Sequence, residues 1–211
     1  MFNPADLLLY PCTDRGVLAG RDLASAVEQA IAGGATMLQL REKEACTQEF
    51  YQVGMAVHRV CAAHGVPLVV NDRLDVAQAI GAEGLHLGQS DLPVAPARRI
   101  LGPEVFIGVS ASSAALAEQA QAAGADYIGV GPVFRTGSKP DAGDAVGLAA
   151  LAEVAGSVGI PVVGIGGITG ENAASVLRAG AAGVSLIAAI FGAVDIEAAT
   201  RGLRRALEEQ K

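Results

Sequence analysis

Short runs of β-branched residues and leucine recur along the chain, each followed by an alanine-rich stretch whose apolar positions return every three or four residues. The runs predict strands near 7–12, 36–41, 67–71, 84–87, 105–109, 126–130, 161–165 and 183–187. The stretches between them predict helices near 22–33, 47–64, 74–80, 94–101, 112–123, 147–158, 171–179 and 195–209. Four helices run into a similar junction, "AGGATM", "IGAEGLH", "AAGADYI" and "RAGAAGV", where a glycine just past the helix suits a left-handed C-cap. Such alternation forces parallel strands with right-handed crossovers, and eight units close into one α/β (β/α)8 TIM barrel over residues 1–211. A doubly wound open sheet is the competing fold. It lacks support, because no G-x-G-x-x-G follows the first strand and no Pro- or Ser-rich linker divides the chain.

A barrel gathers the loops that follow its strands at one end, so each strand end is a site candidate. In "MLQLREK", residues 37–43, alternation puts Gln39, Arg41 and Lys43 on one face and Leu38, Leu40 and Glu42 on the other. With the leucines against the helices, the two cations point into the mouth, where an anion would compensate them; the competing reading is a solvated charge run opening the next helix. Asp72 and Asp91 end the third and fourth strands, in "VVNDR" and "HLGQSD". They suit ion pairing, general acid–base work or a metal, and Mg²⁺ held by one or two carboxylates plus substrate phosphates also accounts for the cations. Asn71 suits the edge of a heteroaromatic ring or an Asx-turn, and Ser110 a strand-end contact or a helix cap.

The long loop "GPVFRTGSKPDAG" carries Thr136, Gly137, Ser138 and Lys139, hydroxyls and a charge that can wrap a phosphate, and its length from 133 to 143 suits a lid. "VVGIGGI" and "GVSLIAAIF" lie where barrels often bind phosphate through backbone amides, and Gly166 and Gly167 permit close approach. Blander readings fit His58 and His64 on a long amphipathic helix, Tyr10 and Tyr127 as packing groups, and His86 as a mouth residue or a hydrogen-bonded core histidine.

Composition narrows the picture. The 211 residues are 51% hydrophobic, ample for a core, and the formal charge of −7 with scattered cations disfavours a nucleic-acid surface. Cys12, Cys46 and Cys61 have no C-x-x-C spacing, and no signal-like start or uninterrupted apolar span is present, so a reduced cytoplasmic setting without membrane attachment is expected. Arg41, Lys43 and Lys139 against Asp72 and Asp91 leave too little positive charge for a diphosphate of roughly three negative charges unless a divalent ion joins them. The glycines after strands seven and eight offer a place for a second, singly phosphorylated molecule.

"QLREK" at 39–43, "NDR" at 71–73, "GLHLGQSDLP" at 84–93, "GVS" at 108–110, "GPVF-R-TGSK" at 131–139 and "GIGGI" at 164–168 together resemble the thiamine phosphate synthase family over nearly the whole chain. The resemblance implies a (β/α)8 enzyme that joins an aminopyrimidine methyl diphosphate to a thiazole phosphate and releases diphosphate. It further implies that Gln39, Arg41, Lys43, Asn71, Ser110 and Lys139 bind the pyrimidine diphosphate, with Arg41, Lys43 and Lys139 catalytic, and that Asp72 and Asp91 hold Mg²⁺. Thr136, Gly137, Ser138, Gly167, Ile187 and Ala188 would bind the thiazole phosphate. Three positions depart from the family's pattern: Ser138 for a usual threonine, Ala188 for a frequent serine and Arg135 for a common proline. Two rivals stand beside this reading, the related thiazole tautomerase, which has histidine where this chain has Pro132, and a silent barrel that only binds phosphorylated ligands. Both small-molecule substrates are the expected partners, with a homo-oligomer possible.

Overall fold

The computed structural model describes residues 2–137 and 143–210. After a short 3-10 turn at Pro4–Leu7, the elements are β1 (Leu9–Pro11), α1 (Arg15–Leu18), α2 (Leu23–Ala32), β2 (Leu38–Leu40), α3 (Thr47–Ala63), β3 (Leu68–Asn71) and α4 (Leu74–Ile80). They continue as β4 (Gly84–Leu87), α5 (Val94–Leu101), β5 (Phe106–Ser110), α6 (Ala114–Ala122), β6 (Tyr127–Val130) and α7 (Gly147–Ser157). The last are β7 (Val162–Ile165), α8 (Ala173–Arg178), β8 (Gly183–Leu186), α9 (Ala188–Phe191) and α10 (Ile196–Glu208).

All strands pair in parallel in the order β1-β8-β7-β6-β5-β4-β3-β2. The seam between β1 and β2 is drawn together by a single parallel bridge, Cys12 to Gln39, with the Thr13 N–H donating to the Gln39 carbonyl at 2.9 Å. The result is the expected nearly closed (β/α)8 barrel. Gly34, Gly81, Gly124 and Gly180, one in each repeated junction, have positive φ, the conformation that lets the chain leave a helix and turn toward the next strand.

Alternation sorts the strand residues into two cores. Leu38, Leu40, Leu85, Leu87, Ile107, Val109, Ile128 and Val130 face outward and pack with the buried faces of the helices. Inside the barrel, Leu7, Tyr10, Met37, Val69, Phe106, Tyr127 and Val163 form a separate plug. The plug depends on missing side chains as much as on present ones. A Cβ on Gly84 would stand 2.3 Å from the Phe106 ring, and one on Gly108 would stand 2.0 Å from that of Tyr127. Both glycines point inward by the strand period, and each leaves room for the aromatic ring from the next strand.

Two short helices, α1 and α9, interrupt the simple alternation. The second begins at Ala188, directly after the predicted end of strand eight at 187, and the strand itself closes at Leu186 with Ile187 as the helix N-cap. "GVSLIAAIF" is apolar on every side but one serine, so its periodicity cannot separate a strand end from a single helical turn.

Candidate active site

A cavity of about 810 Å³ opens where the strands end. Its walls differ. On the β2–β4 side, Arg41 is nearly buried and donates to Asp14 Oδ2 at 2.7 Å, while its backbone N–H is held by Thr13 Oγ1 at 3.0 Å. Asp14 has a second task, since its Oδ1 accepts from the Val17 N–H and caps α1. Lys43 Nζ donates to Asp72 Oδ2 at 2.7 Å. Asp72 sits at φ 64°, a left-handed position that aspartate tolerates better than bulky residues, with its N–H donating to the His86 carbonyl at 2.8 Å.

Asp91 is brought back to the same rim by a tight turn in which the Gly88 N–H donates to its Oδ2 at 2.7 Å. The Asp72 and Asp91 carboxyls lie within hydrogen-bonding reach of one another. Burial opposes the Asp72 charge, yet the hydrogen bond from Lys43, a hydrogen bond from Asp91 and the lysine's charge outweigh it and hold Asp72 below the ordinary carboxylate range. Asp91 is pushed upward, chiefly by burial, with the Gly88 N–H working against the rise and Asp72 adding to it. Two carboxyls that cannot comfortably ionise together are a place where a divalent cation relieves strain between like charges.

The opposite wall is built from backbone. Gly166 and Gly167 have φ of 97° and 64°. A Cβ on Gly167 would meet the Arg135 carbonyl oxygen at 2.5 Å, so the turn after β7 can pack beneath the loop after β6 only as glycine. Asn172 secures that turn, accepting from the Thr169 N–H at 2.8 Å and donating to the Gly167 carbonyl at 3.0 Å. Arg135, Thr136, Gly137, Ile187 and Ala188 complete the wall. Among the described residues it contributes no carboxylate to the cavity.

Between the walls the floor is polar. Asn71, His86, Ser110 and Ser185 line it, and the Ser185 hydroxyl oxygen is buried with no hydrogen-bond partner.

The family model described as thiamine monophosphate synthase matches residues 9–190. The chain belongs to that family. It is 50% identical over 195 residues to a thiamine-phosphate synthase from Clostridium novyi, covering 92% of this chain and 96% of that one. A thiamine-phosphate synthase from Moorella thermoacetica is 51% identical over 199 residues, covering 94% of each. Among solved structures, the thiamine phosphate pyrophosphorylase from Pyrococcus furiosus superposes with a TM-score of 0.90 at 39% identity, covering 98% of both chains.

Of the residues expected from the thiamine phosphate synthase resemblance, Arg41, Lys43, Asn71, Asp72, Asp91, Ser110, Thr136, Gly137, Gly167, Ile187 and Ala188 all line this one cavity. Gln39 faces inward as alternation predicts, but it lies a layer deeper, 3% exposed and outside the cavity lining. Ser138 and Lys139, and with them part of the loop from 133 to 143 read as a lid, lie outside the described residues. Ala188 opens α9 and meets the cavity without a hydroxyl. Asp14 and Asn172 escaped the sequence reading. Asp14 carried a detectable signal, an acid ahead of a short helix, but nothing in its surroundings announced Arg41 as its partner.

Proposed function

We propose that this cavity is the active site of a thiamine-phosphate synthase, a transferase that couples an aminopyrimidine methyl diphosphate to a thiazole phosphate and releases diphosphate. Family membership supports the reaction. The observation that carries the site is the convergence of Arg41, Lys43, Asp72 and Asp91 on one wall of a cavity whose other wall is glycine backbone. The charged wall takes the diphosphate, and the glycine wall with Thr136, Gly137, Ile187 and Ala188 takes the thiazole phosphate.

The donor set fits Mg²⁺. Among the described residues no three His, Cys, Asp or Glu side chains cluster as a full metal cage, and Mg²⁺ characteristically uses one or two carboxylates and completes its shell with phosphate and water. Asp72 and Asp91 would hold it, and when bound it supplies charge neutralisation to the departing diphosphate. Arg41, fixed by Asp14, and Lys43 present positive charge to the same oxygens, and Lys139 belongs to this set by the resemblance. Asn71 and Ser110 orient the pyrimidine ring so that its amino group can push electrons toward the methylene as the C–O bond breaks. The thiazole nitrogen then attacks through its lone pair. No proton leaves the nucleophile, so no general base is needed, and His86 is free for a different task.

Both substrates are small phosphorylated molecules. A cytoplasmic setting accords with three cysteines held as thiols; among the described residues no helix is long and apolar enough to cross a membrane. Purified protein incubated with both substrates and Mg²⁺ should yield thiamine phosphate, detected by mass. Binding of both substrates without product would favour the silent-barrel alternative and overturn this reading.

A further inference from the structure

Beneath the cavity, side chains from five strand segments form one hydrogen-bond chain. Cys12 Sγ approaches Gln39 Oε1 at 3.2 Å, Gln39 Nε2 donates to the Tyr10 hydroxyl at 2.7 Å, and the Tyr10 and Tyr127 hydroxyls are 2.9 Å apart. Tyr127 then meets His86 Nδ1 at 2.9 Å, and His86 Nε2 meets Ser110 Oγ at 2.9 Å. Gln39, Tyr10 and Tyr127 are buried out of reach of bulk water.

The direction of every bond in this chain follows from its fixed end. The Gln39 amide lies with its Oε1 3.2 Å from the Cys12 thiol, whose other acceptor, the Thr13 carbonyl, is farther at 3.7 Å, and so presents its NH₂, a donor only, to Tyr10. The Tyr10 oxygen is thereby an acceptor, and its own proton is directed to Tyr127. Tyr127, already accepting, turns its proton to His86 Nδ1. That nitrogen must be bare, so the ring proton resides on Nε2 and is donated to Ser110 Oγ. The serine oxygen is occupied as an acceptor, and its own proton remains for whatever fills the cavity that Ser110 lines. Burial pushes the pKa of both tyrosines up, with each affected by the other as well, so neither loses the proton that the chain depends on.

We infer that Gln39, Tyr10 and Tyr127 are positioning residues that hold His86 in its neutral Nε2–H tautomer and make Ser110 a hydrogen-bond donor, selecting a heteroaromatic ring that offers an acceptor nitrogen there. The inference rests on the reading that an aminopyrimidine occupies this side of the cavity. A ring nitrogen meets the serine, and the exocyclic amino group, itself a donor, is directed elsewhere. Gln39 thus influences the pyrimidine without touching it, through four intervening groups.

The test is ¹⁵N NMR of the ligand-free full chain labelled at histidine, where only His58, His64 and His86 contribute. His86 should show a protonated Nε2 and a bare Nδ1, and Tyr127→Phe should shift it toward a mixture of tautomers. Tyr10→Phe, which removes the directing step while keeping the ring, should do the same if Tyr127→Phe fails to fold. In either variant the KM for the pyrimidine diphosphate should rise about five- to tenfold, with that for the thiazole phosphate unchanged. A protonated Nδ1 in the unaltered protein, or tautomers indifferent to both substitutions, would overturn the inference. Because the tautomer is read without ligand, the predicted signature in a protein that forms no thiamine phosphate would sink the functional reading and leave the relay standing.

Discussion

The two walls of the mouth are built by opposite means. The β2–β4 wall carries side-chain charge, Arg41 paired with Asp14 and Lys43 paired with Asp72 beside Asp91, whereas the β7–β8 wall consists mainly of a glycine turn and the start of a short helix. Under the proposed function the difference follows what each anion does. A leaving diphosphate gains charge as its bond breaks, so counter-charges aimed at it lower the barrier. The thiazole phosphate only anchors its molecule. A wall that brings no carboxylate among the described residues suffices for it and avoids competing for the metal.

Removing the acids should break this contrast most severely. Asp72→Asn, or EDTA on the unaltered protein, is expected to lower turnover about 100-fold or more, while thiazole phosphate binding followed by calorimetry stays near its original value. Wild-type rates in EDTA would dismiss the metal role. A smaller effect is expected from Arg41→Ala, about 10- to 100-fold weaker binding of the pyrimidine diphosphate alone, the range for a lost charge-assisted hydrogen bond. Asp14→Asn keeps the cap on α1 but puts an NH₂ where Oδ2 accepts from Arg41, so Arg41 stays but is no longer fixed, and the same constant should move in the same direction by less. Equal losses for both ligands in Arg41→Ala would erase the distinction between walls.

Gly167→Ala probes the other side. Its φ of 64° and the Arg135 carbonyl 2.5 Å from the new Cβ should weaken thiazole phosphate binding about tenfold and lower stability by about 1–2 kcal/mol, with pyrimidine diphosphate affinity spared. The mildest perturbation is acid. As pH falls, Asp91 protonates first because its pKa is raised, and Asp72 later because its pKa is lowered, so Mg²⁺ affinity measured by titration should decline across both steps. The stability contributions have opposite signs. Asp72 supplies stability present above its unfolded-state pKa and lost as pH falls through its lower folded value, while ionised Asp91 is unfavourable and its protonation on acidification relieves that penalty. Denaturation midpoints should therefore change less with pH than metal affinity does.

Much of this arrangement is legible in the sequence. Alternation alone directed Arg41 and Lys43 to the mouth, and strand-end positions singled out Asn71, Asp72, Asp91 and Ser110. Alternation reports which face a side chain takes and not how deep it lies, which is why Gln39 read as a mouth residue and proved to sit below the cavity. Tyr10 and Tyr127 read as packing groups, and they do pack, with ring centroids 6.0 Å apart. Their hydroxyl contacts were invisible because each partner comes from a different strand.

By itself the sequence determined the eight repeated units, their inward and outward faces and the end of the barrel where the charged strand-end residues gather, because periodicity and glycine placement act over a few residues. Only the closed barrel decided which groups share a proton. Tyr10 and Tyr127 are 117 residues apart and meet at 2.9 Å, and Arg41 finds Asp14 across the seam where β1 and β2 come together. Hydrogen bonds demand alignment within a few tenths of an ångström, and in this chain that alignment is a property of the circle of strands rather than of any one of them.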